Sequence, residues 1–174
     1  MVRTAPLQFG ALEPGVSYRD RPAAFGVLER DGKVALVRVT KPGGASWLDL
    51  PGGAVEAGES DEQAMVREFG EETGLVARAG ALITRADQRF RLDDGEAVNN
   101  RSAIFVAKPA GEDASLKCED DHELVWLDPC EAMVSIRHDS HAWALLARIR
   151  PRLIGVGAAT RTSLVAMRRL SSVG

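Results

Sequence analysis

The residues of this chain that could do chemistry are crowded into Gly53 to Leu75, GAVEAGESDEQAMVREFGEETGL, where Glu68, Glu71 and Glu72 stand at spacings of three and four. On a helix those three share a face. Like charges so placed cost about 0.2–0.5 kcal/mol per pair unless a cation offsets them. Carboxylate oxygens held on one rigid face suit a hard divalent ion, Mg²⁺ or Mn²⁺, which keeps several waters and reaches out to substrate phosphates. An isolated E-x-x-E-E is more often a solvated helix face, so the chemical reading depends on what surrounds it.

The element that must carry these acids has both of its ends written in the sequence. Ser60 is an N-cap residue and Gln63, three positions on, completes a capping box, which starts the helix at about Asp61. Gly74 takes the C′ place. At 100° per residue Met65, Val66 and Phe69 fall together and are expected in the core. Ala64, Glu68, Glu71 and Glu72 fall on the opposite side.

Gly53, Glu59, Arg67-Glu68, Phe69, Glu71-Glu72, Gly74 and Leu75 together spell G-x5-E-x7-R-E-U-x-E-E-x-G-U, with U a bulky apolar residue. This resembles the Nudix box, with every fixed identity present. At ordinary residue usage a chance match is on the order of 10⁻⁸ per starting position. The resemblance implies that Glu68, Glu71 and Glu72 are metal ligands and that the backbone carbonyl of Gly52 is a further one. It implies that Glu59 and Arg67 buttress the loop against the helix, and that Glu68, or an acid outside the box, is the general base. Phe69 is larger than the family's usual Leu or Ile, and Gly70 inside the helix costs roughly 0.5–1 kcal/mol relative to Ala.

Around the box the chain reads as short strands. Arg21 to Arg30 and Lys33 to Val39 flank Asp31-Gly32, a strong hairpin signal. Lys41 to Ala45 is a loop, and Trp47-Leu-Asp-Leu-Pro-Gly-Gly leads into the box, similar to the family's W-x-L-P-G-G run but with an additional Asp49. Val76 to Thr84, Gln88 to Leu92 and Ser102 to Ala107 read as strands, with a loop over Lys108 to Lys117. The acidic run Glu119-Asp120-Asp121-His122-Glu123 then precedes Leu124-Val-Trp-Leu127. In the family an acid entering this last strand often joins the metal cluster or serves as base, and Glu123 is the candidate. Asp128, Pro129 and Glu131 open a short helix. Ala142, Leu145, Leu146 and Ile149 lay an apolar stripe along a longer helix from Ser140 to Arg150.

Composition sets the outer limits. The chain has 174 residues, 45% hydrophobic and 27% charged, with a formal net charge of −3. That is an ordinary globular composition, and a net acidic chain argues against general nucleic-acid binding. The first residues lack a continuous apolar core of a signal peptide, and no run is long enough for a membrane span. Cys118 and Cys130, far apart, read as free thiols of a cytoplasmic protein. His138 and His141 read as surface-helix residues, without the further ligands a zinc site needs.

The domain reading is an N-terminal arm or lead-in strand over 1–20, a Nudix domain over 21–150 and a basic tail over 151–174, solvated or serving as a docking segment. The fold class is α+β, which in the resembling family is an α/β/α sandwich with a mixed sheet. The activity implied is Mg²⁺-dependent pyrophosphohydrolysis of a nucleoside diphosphate linked to another group. The subfamily marks for ADP-ribose, dinucleoside polyphosphate, coenzyme A and NADH substrates are missing, which leaves a nucleoside triphosphate, cleaved to monophosphate and pyrophosphate. Phe90, Trp47 or Trp126 could stack on a base, though each also suits a core. The alternative is a non-catalytic nucleotide-binding module of the same superfamily. An isopentenyl diphosphate isomerase, which shares the fold, is disfavoured because no Cys or His precedes Cys118. Homodimers are frequent in the family, and the residues leave that state open.

Overall fold

The computed structural model describes residues 6–151. The basic segment expected over 151–174 lies outside the described residues apart from Pro151. In chain order the elements are β1 (Leu7–Phe9), β2 (Arg19–Arg30), β3 (Lys33–Thr40), β4 (Ser46–Asp49), β5 (Gly52–Ala54), α1 (Asp61–Thr73), β6 (Leu75–Arg91) and β7 (Ala97–Glu112). A 3₁₀ turn (Ala114–Leu116), β8 (His122–Leu127) and α2 (Pro129–Ser135) follow, and a last helix, α3, occupies 139–151.

The apolar run of β2 is covered on both faces, as a central strand requires. Ala23, Phe25 and Val27 enter one core with Ala132, Ile136 and Leu145 from the α2 and α3 side. Ala24 and Leu28 enter the other core with Met65 and Phe69 of α1. The period-two alternation of a strand therefore sorts one segment between two helical layers. Along its length β2 pairs parallel with β7, β7 pairs antiparallel with β6, and β6 pairs parallel with β1. β3 holds β4 and β8 on its two sides. The result is a mixed α+β sheet between helices, as the sequence implied.

The Asp31-Gly32 hairpin forms with both residues at positive φ, 52° and 77°, the type I′ geometry its sequence favours. Only Glu29 and Arg30 of β2 pair with β3, at Val34 and Lys33. Past those pairs β2 takes β5 as its neighbour while β3 takes β4 and β8. The parting of these two strands makes room for the cleft described below.

Three local expectations change. The two strands expected over Val76 to Leu92 are one bulged strand, β6, with register shifts at Val76/Ala77 and on either side of Leu82. Its first half needs a partner, so β7 continues through Pro109 to Glu112, where a loop was expected. Pro109 is tolerated opposite the register shift, where a ladder hydrogen bond is already interrupted. On α1, Met65 and Phe69 are fully buried but Val66 is 36% exposed. The helix is wedged between the sheet and the β7–β8 connection. Glu72, two turns past Met65 and about 20° from it round the helix, is buried on Met65's side rather than opposite it, Ala64 is buried too, and Leu116 packs within 3.2 Å of where a side chain at Gly70 would begin.

Candidate active site

The helix that carries the acids is fixed at both ends. Ser60 and Gln63 exchange the two bonds of a capping box, and Gly74 closes the helix at φ 72° with its N–H bonded to the Gly70 carbonyl. Two glycines on β5 then let the sheet approach it. Gly52 sits at φ 139°, and a Cβ there would lie 2.2 Å from the Ala24 carbonyl oxygen. Its N–H donates to Glu72 Oε2 at 2.8 Å. A Cβ on Gly53 would fall 2.7 Å from the carboxyl carbon of Glu68. A side chain at Gly52 would thus strike β2, and one at Gly53 would displace the Glu68 carboxylate.

Arg67 ties the preceding loop to this helix. Its Nε and Nη2 donate to the two oxygens of Glu59, at 2.7 and 3.0 Å, and Nη2 also donates to the Ala54 carbonyl. Nη1 lies 3.0 Å from Glu68 and 2.9 Å from Glu71. The bidentate bond pulls the Glu59 carboxyl down to about 2 and raises the Arg67 guanidinium, which stays charged throughout. These are the buttressing contacts of the two residues the resemblance paired.

The β7–β8 connection brings two further donor side chains, Glu119 and His122. Its Cys118 and Glu119 amides both donate to the Glu71 carbonyl, so the loop hangs from α1. Lys117 Nζ donates to the carbonyls of Glu119 and His122. Donor atoms of Glu72, Glu119 and His122 consequently lie within 4.8 Å of one another, as do those of Glu68, Glu71 and Glu119. His122 Nε2 is 3.3 Å from Glu72, and its Nδ1 is 2.9 Å from Glu119 and 2.8 Å from Asp121. Burial pushes the Glu72 carboxyl well above its ordinary value, with Glu119, Glu68 and Asp49 adding to the rise against the Gly52 amide. Burial also raises Glu68, against Arg67. Four carboxylates and one imidazole with a single arginine among them carry more negative charge than protein groups balance. That donor set, mostly oxygen and half-buried, fits a hard divalent cation.

Glu123 is placed elsewhere. Alternation along β8 turns His122 inward and Glu123 outward, where its carboxylate is 66% exposed and 2.7 Å from Arg38 on β3. Glu119, three residues before His122 in the same acidic run, occupies the place for which Glu123 was the candidate.

The cluster opens into a cleft of about 530 Å³. Another part of its lining comes from Trp47, Asp49, Phe90, Arg137, His138 and His141. The two histidines are not surface residues, being 6% and 2% exposed. They begin α3 where it packs across the sheet, His138 against Phe90 and His141 against Phe25, with ring centres 4.7 and 4.4 Å apart. Burial lowers His138 to about 3, so the imidazole is neutral. Arg137 lies 4.5 Å over the Trp47 ring and bonds Asp49 at 2.7 Å. Burial works against the Asp49 carboxylate, yet His141, His138 and Arg137 together hold it below its ordinary value. Of the three aromatics named for stacking, Trp47 and Phe90 line the cleft, whereas Trp126 packs with the α1-side core under Arg30. Cys118 and Cys130 are free and exposed. No described helix is long and apolar enough to cross a membrane.

The NUDIX domain family model matches residues 18–149. The chain belongs to the Nudix hydrolase family. It is 34% identical over 99 residues to an ADP-ribose pyrophosphatase of Methanocaldococcus jannaschii, a match covering 57% of this chain and 56% of that protein. It is 33% identical over 108 residues to the CTP pyrophosphohydrolase of Escherichia coli, covering 62% of this chain and 75% of that one. The chain thus spans little more than half of the first relative. Among solved structures, a Nudix hydrolase from Nitrosomonas europaea superposes with a TM-score of 0.63 at 22% identity, over 76% of this chain and 90% of the other. That likeness shows the shared fold. The Nudix family generally uses a divalent metal, and the carboxylate cluster of this member could hold one.

Proposed function

We propose that this Nudix hydrolase cleaves a nucleoside triphosphate to the nucleoside monophosphate and pyrophosphate, with Mg²⁺, or Mn²⁺ in its place. The observation that carries the reading is the cleft itself, which joins a carboxylate cluster to a lining that includes the aromatic Trp47 and Phe90 and the neutral His138. The first suits a polyphosphate and the second a planar base. The relatives' names, one a CTP and one an ADP-ribose enzyme, support a nucleotide substrate.

In this reading Glu68, Glu71, Glu72 and Glu119 hold the cation, with the Gly52 carbonyl and His122 beside them. When bound, the cation would neutralise charge on the phosphoryl oxygens and acidify the attacking water. Glu68, raised by burial and seated against Gly53, takes the water's proton in this reading. Glu59 and Arg67 hold the loop and helix in register. Glu123, bonded to Arg38 and exposed, is left outside the reaction.

The test is pyrophosphate and phosphate release from canonical and oxidised nucleoside triphosphates, ADP-ribose, NADH, dinucleoside polyphosphates and coenzyme A, with Mg²⁺ and with chelator. Metal-dependent turnover concentrated on triphosphates is the expected result. Turnover confined to ADP-ribose or another diphosphate, or none at all with folded protein, would overturn it.

A further inference from the structure

Arg21 is a cation without an acid. It lies on β2 with Asn100 as its parallel neighbour on β7, and both side chains line the cleft. Arg19 and Arg101 on the same strands, and Arg91 at the end of β6, each hold a carboxylate at 2.6–2.8 Å. Among the described residues none comes within ion-pair distance of Arg21. The contact it makes is one 3.3 Å bond from Nη1 to Asn100 Oδ1. Burial disfavours its charge, and Glu68 is the first of the charges that favour it. A half-buried guanidinium with most of its N–H groups unused is costly unless something anionic meets it.

Asn100 sharpens the specification. It is 4% exposed, and because its Oδ1 accepts from Arg21, its amide orientation is set with Nδ2 as the free end. The unused groups of the pair are therefore chiefly donors, one lone pair of Oδ1 being taken by Arg21. A donor-rich patch holding a full positive charge, next to a carboxylate cluster suited to a cation, matches a group whose exposed atoms are all acceptors and carry charge.

We propose that Arg21 and Asn100 form a phosphoryl subsite, binding non-bridging oxygens of the substrate's polyphosphate chain beside Glu68. This rests on the pyrophosphohydrolase reading for its substrate, but the subsite is testable without turnover. Arg21 is then a substrate-binding residue that keeps the chain from swinging away from the carboxylates, and Asn100 supplies a second, neutral donor.

The experiment measures binding of Mg²⁺-pyrophosphate by calorimetry, and kcat and KM on the best triphosphate, for wild type, Arg21→Gln, Arg21→Lys and Asn100→Asp. Arg21→Gln should weaken pyrophosphate about 10- to 100-fold and lower kcat/KM by a similar factor. Arg21→Lys keeps the charge but loses the fork, so it should fall in between. Asn100→Asp, which adds repulsion and ties up Arg21, should resemble Arg21→Gln. Added guanidinium should restore part of the activity of Arg21→Ala, a recovery that a purely structural role would not show. Pyrophosphate affinity within twofold of wild type in a folded Arg21→Gln, or in Arg21→Lys and Asn100→Asp should that variant not fold, overturns the subsite. A change in preference among bases with unchanged pyrophosphate binding also overturns it, because Arg21 would then be touching a base carbonyl. If wild type binds pyrophosphate through Arg21 yet hydrolyses no nucleotide, the substrate reading fails and the subsite stands.

Discussion

Replacing Glu72 with Gln should make the metal-free protein more stable and the enzyme inactive. Glu72 is 5% exposed and has an oxygen within 4.8 Å of one on Glu119. Two carboxylates at that distance repel by about 3.5 kcal/mol at an effective dielectric near 20. Glu119 is about one-third exposed, so solvent screening reduces this to about 1–2 kcal/mol. Gln keeps the acceptor for the Gly52 N–H and removes the charge. In a chain of this size each kcal/mol moves the melting temperature by about 2–4 °C, so a rise of about 3–6 °C is expected. The assay is thermal unfolding at about pH 8. It is run in chelator and again across a Mg²⁺ titration. Wild type should gain with metal, by about 2.7 kcal/mol at a hundred times Kd, and Glu72→Gln should gain little while losing turnover by about 100-fold or more. A lower melting temperature for metal-free Glu72→Gln, or the same metal-induced gain in both proteins, would refute the view that this cluster is strained until a cation enters it.

Two further outcomes follow from contacts within the site. Gly53→Ala places a methyl 2.7 Å from the Glu68 carboxyl carbon, so that carboxylate must turn aside. Turnover should fall about 10- to 100-fold with the melting temperature nearly unchanged, and kcat within twofold of wild type would contradict the placement of Glu68. His138 carries the pH dependence. Its folded value of about 3 lies below the ordinary 6.5, so its contribution is fully present above pH 6.5 and is lost as pH falls towards 3, with a slope approaching 1.36 kcal/mol per pH unit. Glu68 and Glu72, raised in the fold, run the other way and favour folding as they protonate. The comparison is therefore urea unfolding of wild type against His138→Asn between pH 7 and 4. The gap between the two should shift steadily in favour of the variant on acidification, and parallel curves would show that His138 is not held neutral.

What could be read from the sequence is what is local in the sequence. The capping box at Ser60, the Gly74 cap and the Asp31-Gly32 turn each involve residues within four positions of one another, and each formed as its chemistry required. The Arg67 contacts to Glu59 and Glu71 span one or two turns of chain. Glu119 and His122 lie 44 and 47 residues past Leu75, the end of the box, and they reach it because the Cys118 and Glu119 amides bond the Glu71 carbonyl, a contact no periodicity announces. The buried histidines escaped for a related reason. The stripe of α3 gives its apolar face but not that its first turn lies across Phe25 and Phe90.

The choice between Glu123 and His122 shows how narrow the missing information is. Both sit in one acidic run ahead of one apolar strand, and either reading of that run is sensible by composition. What decides it is the pairing of β8 with β3, in which Val39 stands opposite His122 and Arg38 opposite Glu123. A slip of one residue would exchange every side chain between the two faces, turning Glu123 towards Glu72 and His122 towards Arg38. The register is held by the apolar residues that follow, since Leu124 and Trp126 pack against the α1-side core. Which side chain of β8 faces the carboxylates is thus settled by hydrophobic burial at neighbouring positions rather than by any property of His122 or Glu123 themselves.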